Sequence, residues 1–148
     1  MIPAIRFADQ GDLEFIMELE KECIWHPWAE DAISRLLEYK GDEQGTFSFA
    51  VIAEGSGYVG VSCVLDEAEI GNLAVTAARR REGIGRKLME FALDELKRKG
   101  VRKVFLEVED TNAAAMALYG KLGFTEYNRR GDYYGPGRNA LLMSMEIS

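Results

Sequence analysis

The chain is poor in the residues that build metal centres and disulfide frameworks. Its 148 residues include two cysteines, Cys23 and Cys63, which lie far apart and show no Cys-x-x-Cys spacing. Such a pattern indicates neither a disulfide framework nor a zinc site. His26 is the only histidine, so a Ser-His-Asp triad or a site with several histidine ligands has little to draw on. We expect no bound metal, and we interpret His26 as a structural residue of its loop.

Long apolar runs are missing as well. No stretch approaches the roughly 18 consecutive apolar residues that a membrane-spanning helix requires. The N-terminus also lacks the basic start and apolar stretch of an export signal. We therefore predict a cytoplasmic protein with no membrane contact. Its 47% hydrophobic and 29% charged residues are typical of one compact domain, which we expect to span residues 1–148.

Positive charge is scarce, since 18 Lys and Arg residues stand against 25 Asp and Glu residues and give a formal net charge of −7 at pH 7. An acidic surface argues against a nucleic-acid partner, because phosphate backbones are held by basic stripes. It favours a basic protein partner, although acidity serves solubility alone in many proteins.

The apolar pattern predicts a mixed α/β fold in the order β α α β β β α β α β β. Alternating patterns place strands at 4–8, 47–54, 57–65, 68–75, 102–110, 124–130 and 139–147, and helical periodicity places helices at 11–23, 26–39, 83–100 and 112–123. Short spacers make the strands between 47 and 75 an antiparallel meander. The strand, helix and strand between 68 and 110 must cross over, which makes those two strands parallel.

A cluster of positive charge lies between the predicted strand 68–75 and the helix 83–100. Five basic residues stand against one acid, a local balance of five minus one, or +4: Arg79, Arg80, Arg81, Arg86 and Lys87 against Glu82. The N–H groups at the start of a helix have no partner within it and favour anions, and Gly83 and Gly85 let the main chain approach a phosphate closely. From these residues alone, a site for a phosphorylated ligand and a solvated turn are equally good interpretations.

Two common phosphate-binding patterns do not fit this cluster. The P-loop pattern G-x-x-x-x-G-K-[ST] does not occur, and Leu88 stands where the dinucleotide pattern needs its third glycine. Neither an NTPase nor a dehydrogenase is therefore supported. The order Arg80-x-x-Gly83-x-Gly85, after a strand and before a helix, resembles the acyl-CoA signature Q/R-x-x-G-x-G/A of the GCN5-related N-acetyltransferase (GNAT) superfamily. That family's fold has a central, mostly antiparallel sheet with one parallel β-α-β crossover and helices on both faces.

Four segments narrow the resemblance within this family. They are "HPWAEDAI", "NLAV", "LEVEDTNAAAMALYGKLGF" and "RRGDYYGPGRNALLMSMEI", and they occur in this order. Together they are similar to the RimI branch, whose members acetylate the N-terminal alanine of a small-subunit ribosomal protein. The resemblance implies transfer from acetyl-CoA by direct attack of the amine in a ternary complex, without a metal or an acyl-enzyme. It implies the N-terminal peptide of a basic ribosomal protein as the partner and leaves the oligomeric state open.

The resemblance also assigns binding residues to acetyl-CoA. The loop that cradles the pyrophosphate corresponds to Arg80, Arg81, Glu82, Gly83, Ile84, Gly85 and Arg86. The strand segment that pairs with the pantetheine arm and polarises the thioester carbonyl corresponds to Leu73, Ala74 and Val75. Asn112 matches a further contact, although its side chain equally suits the cap of the following helix, and both roles are compatible.

Glu107 is the candidate general base. In the strand "VFLEVED", Glu107 shares a face with Phe105 and Glu109, while Val104, Leu106 and Val108 share the other. We expect apolar neighbours around this carboxylate, and the RimI-like base falls at its position. A glutamate with an ordinary pKa of about 4.3 is a poor base for an ammonium group, so burial or a relaying water would be required. The alternative is a half-exposed strand glutamate without a chemical role.

Tyr119 is the candidate general acid. It follows Glu107 by twelve residues, on the predicted helix 112–123, in one stripe with Ala115 and Leu122. In the family, the matching tyrosine donates a proton to the departing CoA thiolate. The alternative is a core aromatic whose hydroxyl is hydrogen-bonded.

Acceptor recognition is predicted for two loop-like segments, 23–31 and 131–139, which are rich in aromatic residues. Tyr133 and Tyr134 either line the peptide groove or pack on the sheet. The acidic side chains Glu107, Glu109 and Asp110 would complement a basic N-terminal segment. Three rival functions stay open: acetylation of a small amine, acetylation of lysine side chains, and a CoA-binding module without turnover.

Overall fold

A computed structural model of the chain describes residues 3–24, 26–38 and 45–147. Within these ranges it contains seven strands and four α-helices, in the predicted order. The strands are β1 (Ile5–Phe7), β2 (Thr46–Ala53), β3 (Gly57–Val64), β4 (Glu67–Val75), β5 (Lys103–Glu109), β6 (Thr125–Gly135) and β7 (Arg138–Glu146). The helices are α1 (Leu13–Cys23), α2 (Glu30–Leu36), α3 (Ile84–Arg98) and α4 (Ala113–Leu122).

The strands form one sheet in the order β1-β2-β3-β4-β5-β7-β6. Every neighbouring pair is antiparallel except β4 and β5, which are parallel. The parallel register starts at Glu67 with Lys103 and ends at Glu69 with Phe105. Beyond these residues the two strands are not paired, so the sheet opens into a gap towards their C-terminal ends. The predicted sheet, mostly antiparallel with one parallel crossover, is confirmed.

Successive residues of a strand point to opposite faces of the sheet, and the apolar residues on the two faces belong to two separate cores. In β2, Phe49 and Val51 contribute to one core and Ala50 and Ile52 to the other. The first core contains the buried side of α3, including Leu88, Met89, Ala92 and Leu96. The second contains the apolar sides of α1 and α2, with Ile16, Leu19, Ile33 and Leu36. Helices therefore cover both faces of the sheet, and no helix in the described ranges is long and apolar enough to cross a membrane.

Two predicted boundaries are wrong. Helix α2 begins at Glu30 instead of residue 26, because Pro27 lies in the non-helical residues that precede it; the predicted end at Tyr39 lies outside the described residues. The segment 131–139, expected to be loop-like, is mostly strand, since β6 continues to Gly135 and β7 starts at Arg138.

The end of this hairpin is irregular and is held by two polar side chains. The pairing of β6 with β7 is interrupted between Arg130 and Gly135. Within the interruption Asp132 has a φ of 54°, and its N–H donates to Oδ1 of Asn139 at 2.9 Å. Its carboxylate accepts the N–H of Gly137 at 2.7 Å. Asp and Asn tolerate the left-handed region of φ and hydrogen-bond to nearby backbone groups. These two side chains therefore let the segment 131–135, whose composition is typical of a turn, continue β6 as an irregular strand.

Candidate active site

The gap between β4 and β5 opens into a cavity of about 700 Å³. Its walls come from both strands, the loop after α1, helix α4 and the β6–β7 hairpin. Four of the residues predicted for catalysis or acetyl-CoA binding meet there: Leu73, Glu107, Asn112 and Tyr119. A second cavity of similar volume lies beside α3 and is lined by residues such as Phe91, Leu122 and Met145. It contains none of the predicted site residues, so we place the candidate site in the gap.

The open edge of β4 presents main-chain groups to this gap. Ala74 is paired with Tyr58 of β3, and the N–H of Thr76 donates to the carbonyl of Ser56 at 2.8 Å. Because main-chain groups alternate in direction along a strand, Leu73 and Val75 point away from β3 and towards the gap. The carbonyl of Val75 indeed accepts the Nε–H of Arg80 at 3.1 Å. Of the predicted strand segment, Leu73 is therefore the residue with its main chain at the gap and its side chain on the cavity wall.

A β-bulge lies directly before Leu73. The register between β3 and β4 shifts so that Gly71 and Asn72 together face Gly60. A β-carbon at Gly71 would lie 2.8 Å from Cη2 of Trp28, so the indole ring sits against the bare main chain. The alternating pattern of the sequence gives no sign of this bulge. Trp28 belongs to the segment 23–31 expected to contact the acceptor, whereas Asn72 is not among the predicted site residues.

The basic loop makes a turn into α3 with open donors at its end. Arg81 and Gly83 have φ values of 68° and 83°, and Gly83 is the N-cap without a side chain to cap the helix. The first bond within the helix runs from the N–H of Lys87 to the carbonyl of Gly83 at 3.2 Å. The N–H groups of Ile84, Gly85 and Arg86 therefore have no partner within the helix, which is the arrangement that favours an anion.

The basic side chains near this turn contact protein groups as well. Arg79 donates to Glu82 at 3.0 Å, and Arg80 reaches the sulfur of Cys23 at 3.5 Å in addition to the Val75 carbonyl. Arg86 and Lys87 lie 3.6 and 3.7 Å from Glu90. These contacts are on exposed side chains, where a single ion pair contributes little, so the loop keeps most of its positive character.

Glu107 lies where the strand pattern predicts it, with different neighbours. Val104, Leu106 and Val108 are buried on one face of β5, while Glu107 is half-buried on the other. The expected apolar setting is wrong, because Nη1 of Arg130 is 3.6 Å from the Glu107 Oε1 atom. The β6–β7 hairpin carries this guanidinium over the strand. Since 27% of the Glu107 side chain is exposed, water reaches the carboxylate, which favours the water relay over complete burial.

Tyr119 projects from α4 into the cavity and is 6% exposed. Its ring packs edge-on against Phe124, with centroids 5.9 Å apart. Burial raises the pKa of the Tyr119 hydroxyl to about 12, so the phenol is protonated at neutral pH. Asn112 caps α4, because its Oδ1 accepts the N–H of Ala115 at 3.1 Å. The capping role of Asn112 is thus observed, and its side chain also lies on the cavity wall.

The hairpin supplies the outer wall of the cavity. Tyr133 and Tyr134 both line it and pack edge-on, with ring centroids 5.0 Å apart. Burial raises the pKa of Tyr134 to about 12. Arg138 makes a two-pronged salt bridge with Glu109, at 2.9 and 2.7 Å, and this contact lowers the pKa of Glu109. Arg138 belongs to the segment 131–139 expected to contact the acceptor, but the sequence carries no sign of its pairing with Glu109.

Comparisons with known proteins point to one family. The family model of GNAT acetyltransferases matches residues 13–124. The [ribosomal protein bS18]-alanine N-acetyltransferase of Escherichia coli (strain K12) is 36% identical over 147 residues, with 97% of each chain covered. The crystal structure of the ribosomal-protein-S18-alanine N-acetyltransferase from Escherichia coli superimposes with a TM-score of 0.83 at 33% identity, over 98% of this chain and 94% of that one. The structure of yncA from Salmonella typhimurium with its cofactor acetyl-CoA has the same fold, with a TM-score of 0.79 at 23% identity and 98% and 94% coverage.

Proposed function

This chain belongs to the GNAT family of acetyltransferases, and from that premise we propose that it acetylates the N-terminal alanine of a small-subunit ribosomal protein, with acetyl-CoA as the donor. The proposal is supported by the nearly full-length similarity to the Escherichia coli bS18-alanine N-acetyltransferase. The single observation that carries it is the meeting of Glu107 and Tyr119 in one cavity, at the gap between β4 and β5.

The residues around the gap fit acetyl-CoA. The uncapped start of α3 and the basic loop suit its pyrophosphate, and Gly83, which has no neighbour within 4 Å of a β-carbon position, leaves the main chain open. The Leu73 edge of β4 is free to pair with an extended chain. Bound acetyl-CoA supplies the thioester from which the acetyl group is taken. We assign residues 80–86, Leu73, Val75 and Asn112 to its binding; the Ala74 main chain faces β3 instead.

The residues of the gap perform three tasks in the transfer. Glu107 takes a proton from the acceptor ammonium through a water, because its carboxylate is partly exposed. The free amine attacks the acetyl carbon, and the N–H of Leu73 stabilises the negative charge that develops on the carbonyl oxygen. As the carbon–sulfur bond breaks, Tyr119 gives its proton to the sulfur. The nitrogen loses its second proton as the amide forms, which restores the Tyr119 hydroxyl, and the proton held by Glu107 leaves to solvent. The N–C bond replaces the C–S bond, and the net products are the acetylated amine and the free thiol.

An N-terminal amine suits this machinery better than lysine. An α-amine has a pKa of about 7.7–8.0 and lysine about 10.4, a difference worth roughly 3 to 4 kcal/mol in deprotonation at neutral pH. The Glu107 carboxylate in the cavity is half-buried, with the Arg130 guanidinium 3.6 Å away, and an acceptor that loses its proton easily makes the smaller demand on it. Aromatic walls from Trp28, Tyr133 and Tyr134 suit a peptide. Glu69 and Glu107 give the cavity acidic character, while Glu109 is already neutralised by Arg138.

The test uses purified enzyme, acetyl-CoA and three acceptors at equal concentration. These are a peptide with a free N-terminal alanine, a peptide with a blocked N-terminus and one lysine, and a polyamine. We expect thiol release with the first to exceed the other two by at least about tenfold in kcat/KM, as the basicity gap requires. Equal or faster turnover of the polyamine would contradict the proposal. CoA binding without turnover of any amine would favour the non-catalytic module.

A further inference from the structure

Glu20 is a buried carboxylate that the mechanism does not use. It lies on α1 with 0% of its surface exposed. Its two oxygens accept four hydrogen bonds: from the N–H of Trp28 at 2.9 Å, from Nδ2 of Asn72 at 3.1 and 3.0 Å, and from the hydroxyl of Tyr58 at 2.7 Å. Burial and the neighbouring carboxylate raise the pKa of Tyr58 far above its ordinary value, so its hydroxyl remains a donor.

These bonds tie together parts that are distant in sequence. Trp28 belongs to the loop after α1, Asn72 to the bulge of β4 and Tyr58 to β3. Trp28 and Asn72 line the active-site cavity, whereas Glu20 lies behind the wall that they form. A buried carboxylate is costly without donors, and donors left without their acceptor are costly too. The loop and the bulge are therefore held in one arrangement by a single side chain.

The arrangement has a consequence for the acceptor. The ring of Trp28 rests on Gly71, the first residue of the bulge, and the side chain of the second, Asn72, is turned back to Glu20. Without Glu20, the Trp28 loop has lost its main-chain anchor and the Asn72 amide is free to turn into the cavity. Both changes alter the wall against which an acceptor peptide packs. The basic loop contacts α1 through Arg80 and Cys23 and not through Glu20, so this contact is kept.

We propose that Glu20 is a positioning residue for the acceptor peptide, acting through Trp28 and Asn72 and not through the cofactor loop. The proposal rests on the proposed function and deepens it. It identifies a charged group outside the cavity as a determinant of how tightly the acceptor is held.

The test compares Glu20→Gln with Glu18→Gln. Both remove one carboxylate from α1, but Glu18 is exposed and touches Lys21. For Glu20→Gln we expect the peptide KM to rise about tenfold, the effect of one lost hydrogen bond to a charged group. We expect kcat and the Kd for CoA to change less than about threefold, since the donors at Leu73 and α3 are retained. Glu18→Gln should leave all three values as in the wild type.

A double-mutant cycle and hydrogen exchange complete the design. If Glu20 acts through Asn72, the effects of Glu20→Gln and Asn72→Ala on KM are not additive. Amides of residues 26–29 and 70–72 should exchange faster in Glu20→Gln than in Glu18→Gln. Additive effects, an unchanged peptide KM, or a parallel loss of CoA binding and peptide binding would overturn the proposal. If the wild type acetylates no alanine peptide, the proposed function fails, and the exchange data alone then decide whether Glu20 holds the wall.

Discussion

At the scale of single residues, Glu107 and Arg130 form a loose ion pair at the gap. The closest atoms are 3.6 Å apart, and 55% of the Arg130 side chain is exposed. Exposed pairs of this kind contribute about 0–1 kcal/mol, so an incoming ammonium can replace the guanidinium at little cost. The Arg130 guanidinium also lies 5.6 Å from the ring centre of Tyr133. This cation–π contact remains available to it when an ammonium group displaces it from Glu107. The carboxylate is therefore accessible to the acceptor.

Replacing this carboxylate tests its role. Glu107→Gln keeps the shape of the side chain and removes the proton acceptor, so we expect kcat/KM for the alanine peptide to fall about 10²- to 10⁴-fold. Glu67→Gln is the matched control, because Glu67 is exposed on β4 at the closed end of the parallel pairing. Assays of thiol release, stopped at fixed times, measure kcat/KM for both variants. A Glu107→Gln enzyme within about threefold of the control would remove Glu107 from the mechanism.

Tyr119 carries a prediction about pH. An acid catalyst must be protonated, and a pKa of about 12 keeps the Tyr119 phenol protonated throughout the neutral and mildly alkaline range. The rate is lost only as pH rises towards that value, so the kcat profile should show no falling limb from Tyr119 below about pH 10. Tyr119→Phe should lower kcat about 10²-fold or more across the whole profile. A limb centred near pH 8 or 9 that disappears in Tyr119→Phe would contradict the raised pKa of Tyr119, and a Tyr119→Phe enzyme with a kcat within about threefold of the wild type would remove Tyr119 from the mechanism.

At the scale of elements, periodicity predicts strands and helices most clearly where an element buries one face, whereas β6 is exposed along most of its length. Alternation in β5 and the i, i+3, i+4, i+7 pattern of α3 are clear in the sequence, and the structure buries those residues. The bulge at Gly71 and Asn72 is not predicted, since it depends on contacts with Glu20 and Trp28 from other elements. The insertion of β7 between β5 and β6 is equally non-local.

The turn into α3 gives a test at this scale. Gly83→Ala and Gly55→Ala both place a β-carbon on a residue with positive φ and no neighbour within 4 Å. Each should lower the free energy of unfolding by about 1–2 kcal/mol through strain in the left-handed region. Only Gly83→Ala should raise the Kd for CoA, by about tenfold, because it changes the donors at the start of α3. If calorimetric titration gave the same Kd for CoA with both variants, the turn before α3 would not be part of the CoA-binding site.

At the scale of the whole molecule, an acidic body carries one basic loop. The net charge of −7 coexists with five basic residues between positions 79 and 87. This separation gives the cofactor a positive site and leaves the remaining surface attractive to a basic peptide. The sequence shows that the basic residues are clustered in an acidic chain, but it does not show where the cluster lies relative to the cavity. Glu107 and Tyr119 are assigned by resemblance to a family, and Trp28 and Arg138 lie in the two segments expected to contact the acceptor. The place of Asn72 at the site follows only from the folded chain.

The most direct measurement of the central claim is the mass of the small-subunit ribosomal proteins isolated from cells that encode this chain and from cells in which its gene is deleted. We predict that the N-terminal peptide of one of these proteins carries an acetyl group on alanine in the first case and loses it in the second. Restoring the gene should restore the acetyl group, and restoring the Glu107→Gln variant should not. The same acetylated N-terminal alanines in the deletion strain, at the level of the parent, would contradict the account.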